Sequence, residues 1–142
     1  MRSSADAGLD AILKDGVRGT PDVAALAALD GRTLTVMAWH YHDDDLAGPD
    51  AAVELALTGL PFTQGDARLT HYRIDESHSN SFAEWKRQGS PIAPTAGQYA
   101  QLLAAAQLAA MNGPATAPIV NGQATLRFSL PRQGVSLVVL EW

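Results

Sequence analysis

Residues 119–130, IVNGQATLRFSL, decide how the chain folds. Asn121-Gly122 is the dipeptide favoured in two-residue β-turns whose central positions both need positive φ, and Ala124, Leu126, Phe128 and Leu130 then alternate with Thr125, Arg127 and Ser129. Such alternation sets one face on a core and the other in water. The stretch predicts a hairpin in an antiparallel sheet. Pro131 to Gly134 turns the chain again, and Val135–Trp142 is a nearly all-apolar last strand.

Upstream segments extend the same pattern. Thr33–His42 reads as a central strand with Leu34, Val36 and Ala38 on one face and Met37, Trp39 and Tyr41 on the other, so both faces call for cover. Asp43, Asp44 and Asp45 repel one another too strongly for a strand interior and predict a solvated turn that Gly48-Pro49 completes. Val53, Leu55 and Leu57 alternate with Glu54, Ala56 and Thr58, and Arg68–Ile74 makes the next strand. Pro21–Leu29 is ambiguous: Ala and Leu favour helix, while Asp30-Gly31 before a strong strand signals a hairpin turn. Leu9, Ile12 and Leu13 have helical spacing, but Gly16 and Gly19 follow closely, which predicts a short turn or strand after a loose MRSSADAG.

Between these strands lies His71–Leu103, HYRIDESHSNSFAEWKRQGSPIAPTAGQYAQLL. Ser81 and Glu84 have the spacing of a capping box, Phe82 and Trp85 fall three apart behind it, and Gly89 sits where a left-handed residue ends a helix. Pro91 and Pro94 stop that helix. Thr95 and Gln98 repeat the box for a second helix with Tyr99, Leu102, Leu103, Ala106 and Ala110 on one face. The resulting expectation is a mainly β chain: an antiparallel β-sandwich at 17–142, a two-helix insertion at about 76–112, and a lead-in at 1–16.

A length of 142 residues suits one domain with a proper core, and an apolar share of 46% with 18% charged residues is that of a globular chain. A net charge of −5 without a basic stripe speaks against nucleic acid, and no apolar run approaches the ~20 residues that span a bilayer. No cysteine is present, so neither disulfides nor thiolate metal sites are expected. Met1–Lys14 lacks a basic segment followed by an apolar one, which leaves the compartment open and favours the cytoplasm only slightly.

Several groups of residues have a chemistry to be weighed. His40 and His42 share one strand face with Asp44 beyond them, a set able to bind zinc, although strand-end histidines more often make ordinary hydrogen bonds. The glutamates are Glu54, Glu76, Glu84 and Glu141; Glu76 with His78 is the pair closest to acid–base chemistry, and holding its loop by hydrogen bonds is the simpler role. Trp39, Trp85 and Tyr99 could form a sugar-stacking platform, but their spacing also suits a core or an interface. Arg73 with Asp75, beside His71, reads as a polar clamp tying the insertion to the sandwich. No catalytic, cofactor-binding or metal residue is assigned, and no cofactor is expected.

Taken in order, the strings His71-Tyr72-Arg73-Ile74-Asp75, His78-Ser79-Asn80, Trp85-Lys86, Gly89-Ser90-Pro91, Pro94-Thr95 and Gln98-Tyr99-Ala100-Gln101-Leu102 resemble the C-terminal region of glycoside hydrolase family 39 β-xylosidases. Val17-Arg18-Gly19, Pro21-Asp22-Val23 and Trp39-His40-Tyr41-His42-Asp43-Asp44-Asp45 extend the resemblance over nearly the whole chain. It implies a β-sandwich that follows a catalytic (β/α)8 barrel, a strand at Pro21–Leu29, and no metal. The implied activity of the parent is retaining removal of xylose from the non-reducing end of xylo-oligosaccharides. The family's acid/base lies in an Asn-Glu motif on the barrel; none of the four glutamates here follows an asparagine, and a barrel of roughly 250 residues does not fit this length. The expected role is that of a non-catalytic domain bracing the barrel, inactive alone, with a surface left for a homo-oligomer. An autonomous carbohydrate-binding module and a metal-dependent enzyme at His40, His42 and Asp44 are the rivals.

Overall fold

The computed structural model describes residues 3, 4, 7–18, 22–111 and 113–142. In chain order its elements are α1 (Leu9–Asp15), β1 (Asp22–Asp30), β2 (Thr33–Tyr41), β3 (Ala51–Leu57), β4 (Gln64–Ile74), α2 (Ser81–Arg87), α3 (Ala96–Ala105), β5 (Ala109–Ala110), β6 (Ala115–Val120), β7 (Ala124–Leu130) and β8 (Val135–Glu141). One sheet runs β1-β2-β8-β4, with β5 and β6 both alongside β4; the other is the pair β3-β7. Every pairing is antiparallel, so the mainly β expectation holds.

The turn at Asn121-Gly122 forms with φ of 51° and 68°, but the hairpin does not continue beyond it. Only Val120 and Gln123 bridge; β6 then pairs with β4, and β7 pairs with β3. The turn hands the chain from one sheet to the facing one. Alternation in sequence is blind to this, because each flank still has one buried face, with Ile119 and Leu130 both fully buried.

The core fills the space between the sheets. Leu34 and Val36 from β2, Val138 and Leu140 from β8, Ala117 and Ile119 from β6, and Ala67 from β4 meet Leu55 and Leu57 from β3 and Ala124 from β7. Phe62 stacks on Trp142 at 6.0 Å and closes one end. Burying each leucine contributes about 1.5–3 kcal/mol. β4 begins four residues before the expected Arg68 because β6 pairs with Gln64–Leu69 on its far side, a contact between segments distant in sequence.

Other local expectations change for similar reasons. The segment at Leu9 is a helix rather than a turn or strand: it ends only at Gly16, whose N–H still bonds to Ile12 O and whose φ of 68° turns the chain out of the helix. Pro21 lies outside the described residues, as do Gly19, Asn112 and half of MRSSADAG, and the strand expected from Pro21 is described from Asp22. The cap of α2 is Asn80, not Ser81. Asn80 Oδ1 accepts from Ala83 N at 2.9 Å while its Nδ2 donates to Asp75 O, and Glu84 pairs with Arg87 at 2.7 Å instead of reaching back. Gly89 ends that helix with φ of 83°, and Thr95 with Gln98 forms the full capping box. Ala110 is not on α3. Ser79 Oγ accepts from Ala109 N and His71 O accepts from Met111 N, both at 2.7 Å, which draws the chain back to the sheet as β5.

The helices pack against one another, α2 on α3. They do not cover the second face of β2, where Met37 is 40% and Tyr41 46% exposed and Trp39 is half-buried.

Candidate functional site

Strand parity brings the largest buried polar cluster together. His71, Arg73 and Asp75 are alternate residues at the end of β4 and all point inward, towards Ser136 of β8, which pairs with Arg73 and is fully buried. Arg73 Nε donates to Ser136 Oγ at 3.0 Å and its NH2 to Ser129 O at 2.7 Å, while NH1 lies 3.6 Å from Asp75 Oδ2. Asp75 Oδ1 accepts from the backbone N–H groups of Ser77 and His78 and faces His78 Nδ1 at 2.8 Å. Ser79 Oγ donates to Arg73 O at 2.7 Å. The guanidinium thus joins β4, β7 and β8, and the carboxylate folds the first turn of the insertion onto it. The geometry is that of the expected clamp.

His71 Nε2 lies 3.0 Å from Ser136 Oγ, a spacing that nucleophile–base pairs also use. Ser136 has no exposed surface, its oxygen already accepts from Arg73, and the His71 ring leans on Phe128 at 4.8 Å. The pair is therefore closed to any substrate. Ser136 was absent from the sequence-level candidates, although a lone serine at the parity of Val138 and Leu140 marks an inward polar group.

Other candidates are dispersed. His40 is buried with Nδ1 3.0 Å from Leu130 O, so Nδ1 carries the proton and donates. His42 Nε2 meets Arg18 O at 3.1 Å, which makes Nε2 the donor and Nδ1 the acceptor of Asp44 N–H. The Asp44 carboxylate pairs with Arg18 at 3.3 Å. His42 and Asp44 are thus held by protein groups, whereas His40 Nε2 is buried without a hydrogen-bond partner, and among the described residues no cluster of three or more metal-ligating side chains occurs. No described helix is long and apolar enough to cross a membrane.

The glutamates also separate. Glu54 pairs with Arg127, Glu84 with Arg87 and Glu141 with Arg68. Glu76 is exposed, and His78 pairs with Asp75 rather than with it. Glu76 lines a cleft of about 570 Å³ with Asp45, Asp50, Phe82, Lys86 and Arg132. Phe82 stacks on Trp85 at 5.6 Å, and these rings with Tyr99, Leu102 and Leu103 line an open groove of about 390 Å³ between the helices. Trp85 Nε1 donates to Pro91 O at 3.0 Å, and Tyr99 is 56% exposed. Trp39 lies apart, on β2.

Burial, and secondarily the Arg73 guanidinium, holds the His71 imidazole below its ordinary 6.5. Burial alone would raise the Asp75 carboxyl, but hydrogen bonds from the His78 side chain and from Ser77 N–H, with the charge and N–H of His78, hold it below 3.8. In both cases the unfolded chain takes up protons first on acidification. Stability is therefore full above pH 6.5, falls as pH drops below that value through His71, and falls again below 3.8 through Asp75. Urea unfolding across this range in a His71→Gln variant should lose the upper limb and keep the lower; an unchanged upper limb would assign it to another group.

No family profile matches the chain, and no curated protein matches it by sequence. Solved structures do match. A GH39 enzyme from Xanthomonas axonopodis pv. citri aligns at TM-score 0.70 with 18% identity, covering 82% of this chain and 25% of that one. A monomeric β-xylosidase from Caulobacter crescentus aligns at 0.65 with 20% identity over 82% of this chain and 26% of that one. A bacterial orthologue of human α-L-iduronidase aligns at 0.68 with 23% identity, 85% and 22%. The chain has the fold of one part of these enzymes and spans about a quarter of their length.

Proposed function

We propose that this chain is a non-catalytic accessory β-sandwich of a β-xylosidase-like glycoside hydrolase and that it braces a catalytic barrel. The observation that carries this reading is coverage: four-fifths of the chain aligns with enzymes described as GH39 and β-xylosidase, yet accounts for only a quarter of them. The buried cluster supports it from the chemical side. Its polar groups are turned on one another, as a rigid brace requires, and three of the four glutamates are taken up in surface ion pairs.

The groove between the helices favours a second reading, a carbohydrate-binding module, because Trp85 and the exposed Tyr99 line it together with Phe82. One experiment separates these. The purified chain is expected to leave an aryl β-xyloside uncleaved, and titration with xylo-oligosaccharides should leave its tryptophan fluorescence unchanged. Saturable quenching at micromolar sugar would establish the binding module, and turnover abolished by Glu76→Gln would establish an enzyme. The positive test is a chimera in which this chain replaces the matching region of the Caulobacter enzyme: it should melt above the barrel alone.

A further inference from the structure

β1 stands at the end of its sheet and pairs only with β2 among the described residues. Sheet edges are normally blunted by charge, proline or shortness. β5 has only two residues, β6 carries Pro118, and β3 and β7 carry Glu54 and Arg127 at mid-strand. Between its terminal aspartates β1 has none of these devices: Val23–Leu29, VAALAAL, is uncharged throughout, with Leu26 62% and Leu29 53% exposed.

The open backbone groups can be identified. His40 N and O bond to Gly134 and Gln133 on the β8 side of β2, so His40 and its partner Val23 form a pair not hydrogen-bonded to each other. Val23 O accordingly faces the open side, where Ser3 Oγ donates to it. Alternate residues share that orientation, so Ala25, Ala27 and Leu29 present their N–H and C=O groups to the open edge.

We propose that β1 is a self-association edge, where two copies of this chain pair antiparallel about a two-fold axis through Ala27, over residues 24–30. Centring on Leu26 sets Asp22 opposite Asp30 at both ends and uses Val23, whose carbonyl Ser3 holds; centring on Ala25 uses Val23 as well. Centring on Ala27 avoids both conflicts. Ala27 faces its own copy, Ala25 faces Leu29 and Leu26 faces Ala28, so each leucine meets a small residue and the open backbone groups of the two strands oppose one another. A two-fold pairing of this kind is closed, because each copy uses the one edge left undefended among the described residues. The inference concerns this polypeptide, a quarter of the length of the enzymes it matches, and rests on β1 alone.

Light scattering at about 100 µM, above the micromolar Kd range, should give twice the chain mass of 15.0 kDa. Ala28→Lys places an ammonium against Leu26 of the second copy and should weaken the dimer by more than about tenfold, whereas Thr125→Lys on β7 should leave it intact. Register is read separately. A mixture of Leu26→Cys and Ala28→Cys proteins should form the mixed disulfide faster than either protein alone forms its own, and this decides the matter even if Ala28→Lys fails to fold. A wild-type monomer at that concentration, or a dimer indifferent to Ala28→Lys and without preferential mixed crosslinking, overturns the proposal.

Discussion

Replacing Arg73 by alanine should cost about 3–5 kcal/mol of folding stability, the loss expected when one partner of a buried ion pair is removed. Arg73 and Asp75 are 4% and 8% exposed in their side chains, so the Asp75 carboxylate would keep its charge in a site with little water. The same change takes a donor from Ser136 Oγ and leaves Ser129 O without its 2.7 Å partner. Since small domains are stable by only about 5–15 kcal/mol, the variant is expected to melt far below the parent or to express as an unfolded chain. Arg73→Lys should recover only part of the loss, because a single ammonium cannot reach β7, β8 and Asp75 at once. The measurement is urea unfolding followed by tryptophan fluorescence. A loss under about 1 kcal/mol would mean that the pair behaves as a solvated surface bridge, and the clamp would have to be abandoned.

The second large effect is expected at Leu140, which is fully buried on β8 between β2 and β4. Leu140→Ala removes three carbons, a methine and two methyls, from the centre of the sheet-to-sheet core and should cost about 2–5 kcal/mol, the transfer term plus that of the cavity left behind. Leu137, one face away on the same strand, is half-buried on the outer side, and Leu137→Ala should cost clearly less. Similar losses at the two positions would show that the outer face is covered in solution as thoroughly as the inner one.

Much of this architecture is legible from residues alone because it depends on local chemistry. Asn121-Gly122 needs positive φ, Thr95 and Gln98 satisfy each other's backbone groups, Gly89 ends a helix, and inward parity at 71, 73 and 75 puts a cationic and an anionic side chain on one face. The buried clamp could be expected from that parity together with the cost of an unpaired charge.

Partners distant in sequence were decided only by the tertiary structure. Sequence alternation states that Ile119 and Ala124 are buried, but not that they are buried in different sheets; that follows from β6 finding β4 and β7 finding β3 across long stretches of chain. Asn80 displaces Ser81 as the cap because its amide also holds Asp75 O, and α3 stops at Ala105 because Ser79 and His71 capture the chain beyond it. The two faces of β2 look alike as a string of letters, yet one lies on the core and the other is left half open, since a strand's periodicity records that both faces are apolar and not what is available to cover them. The tryptophans and tyrosine that the sequence grouped are dispersed for the same reason: Trp85 and Tyr99 share a groove because α2 packs on α3, whereas Trp39 belongs to a sheet face whose neighbours come from β1 and β8.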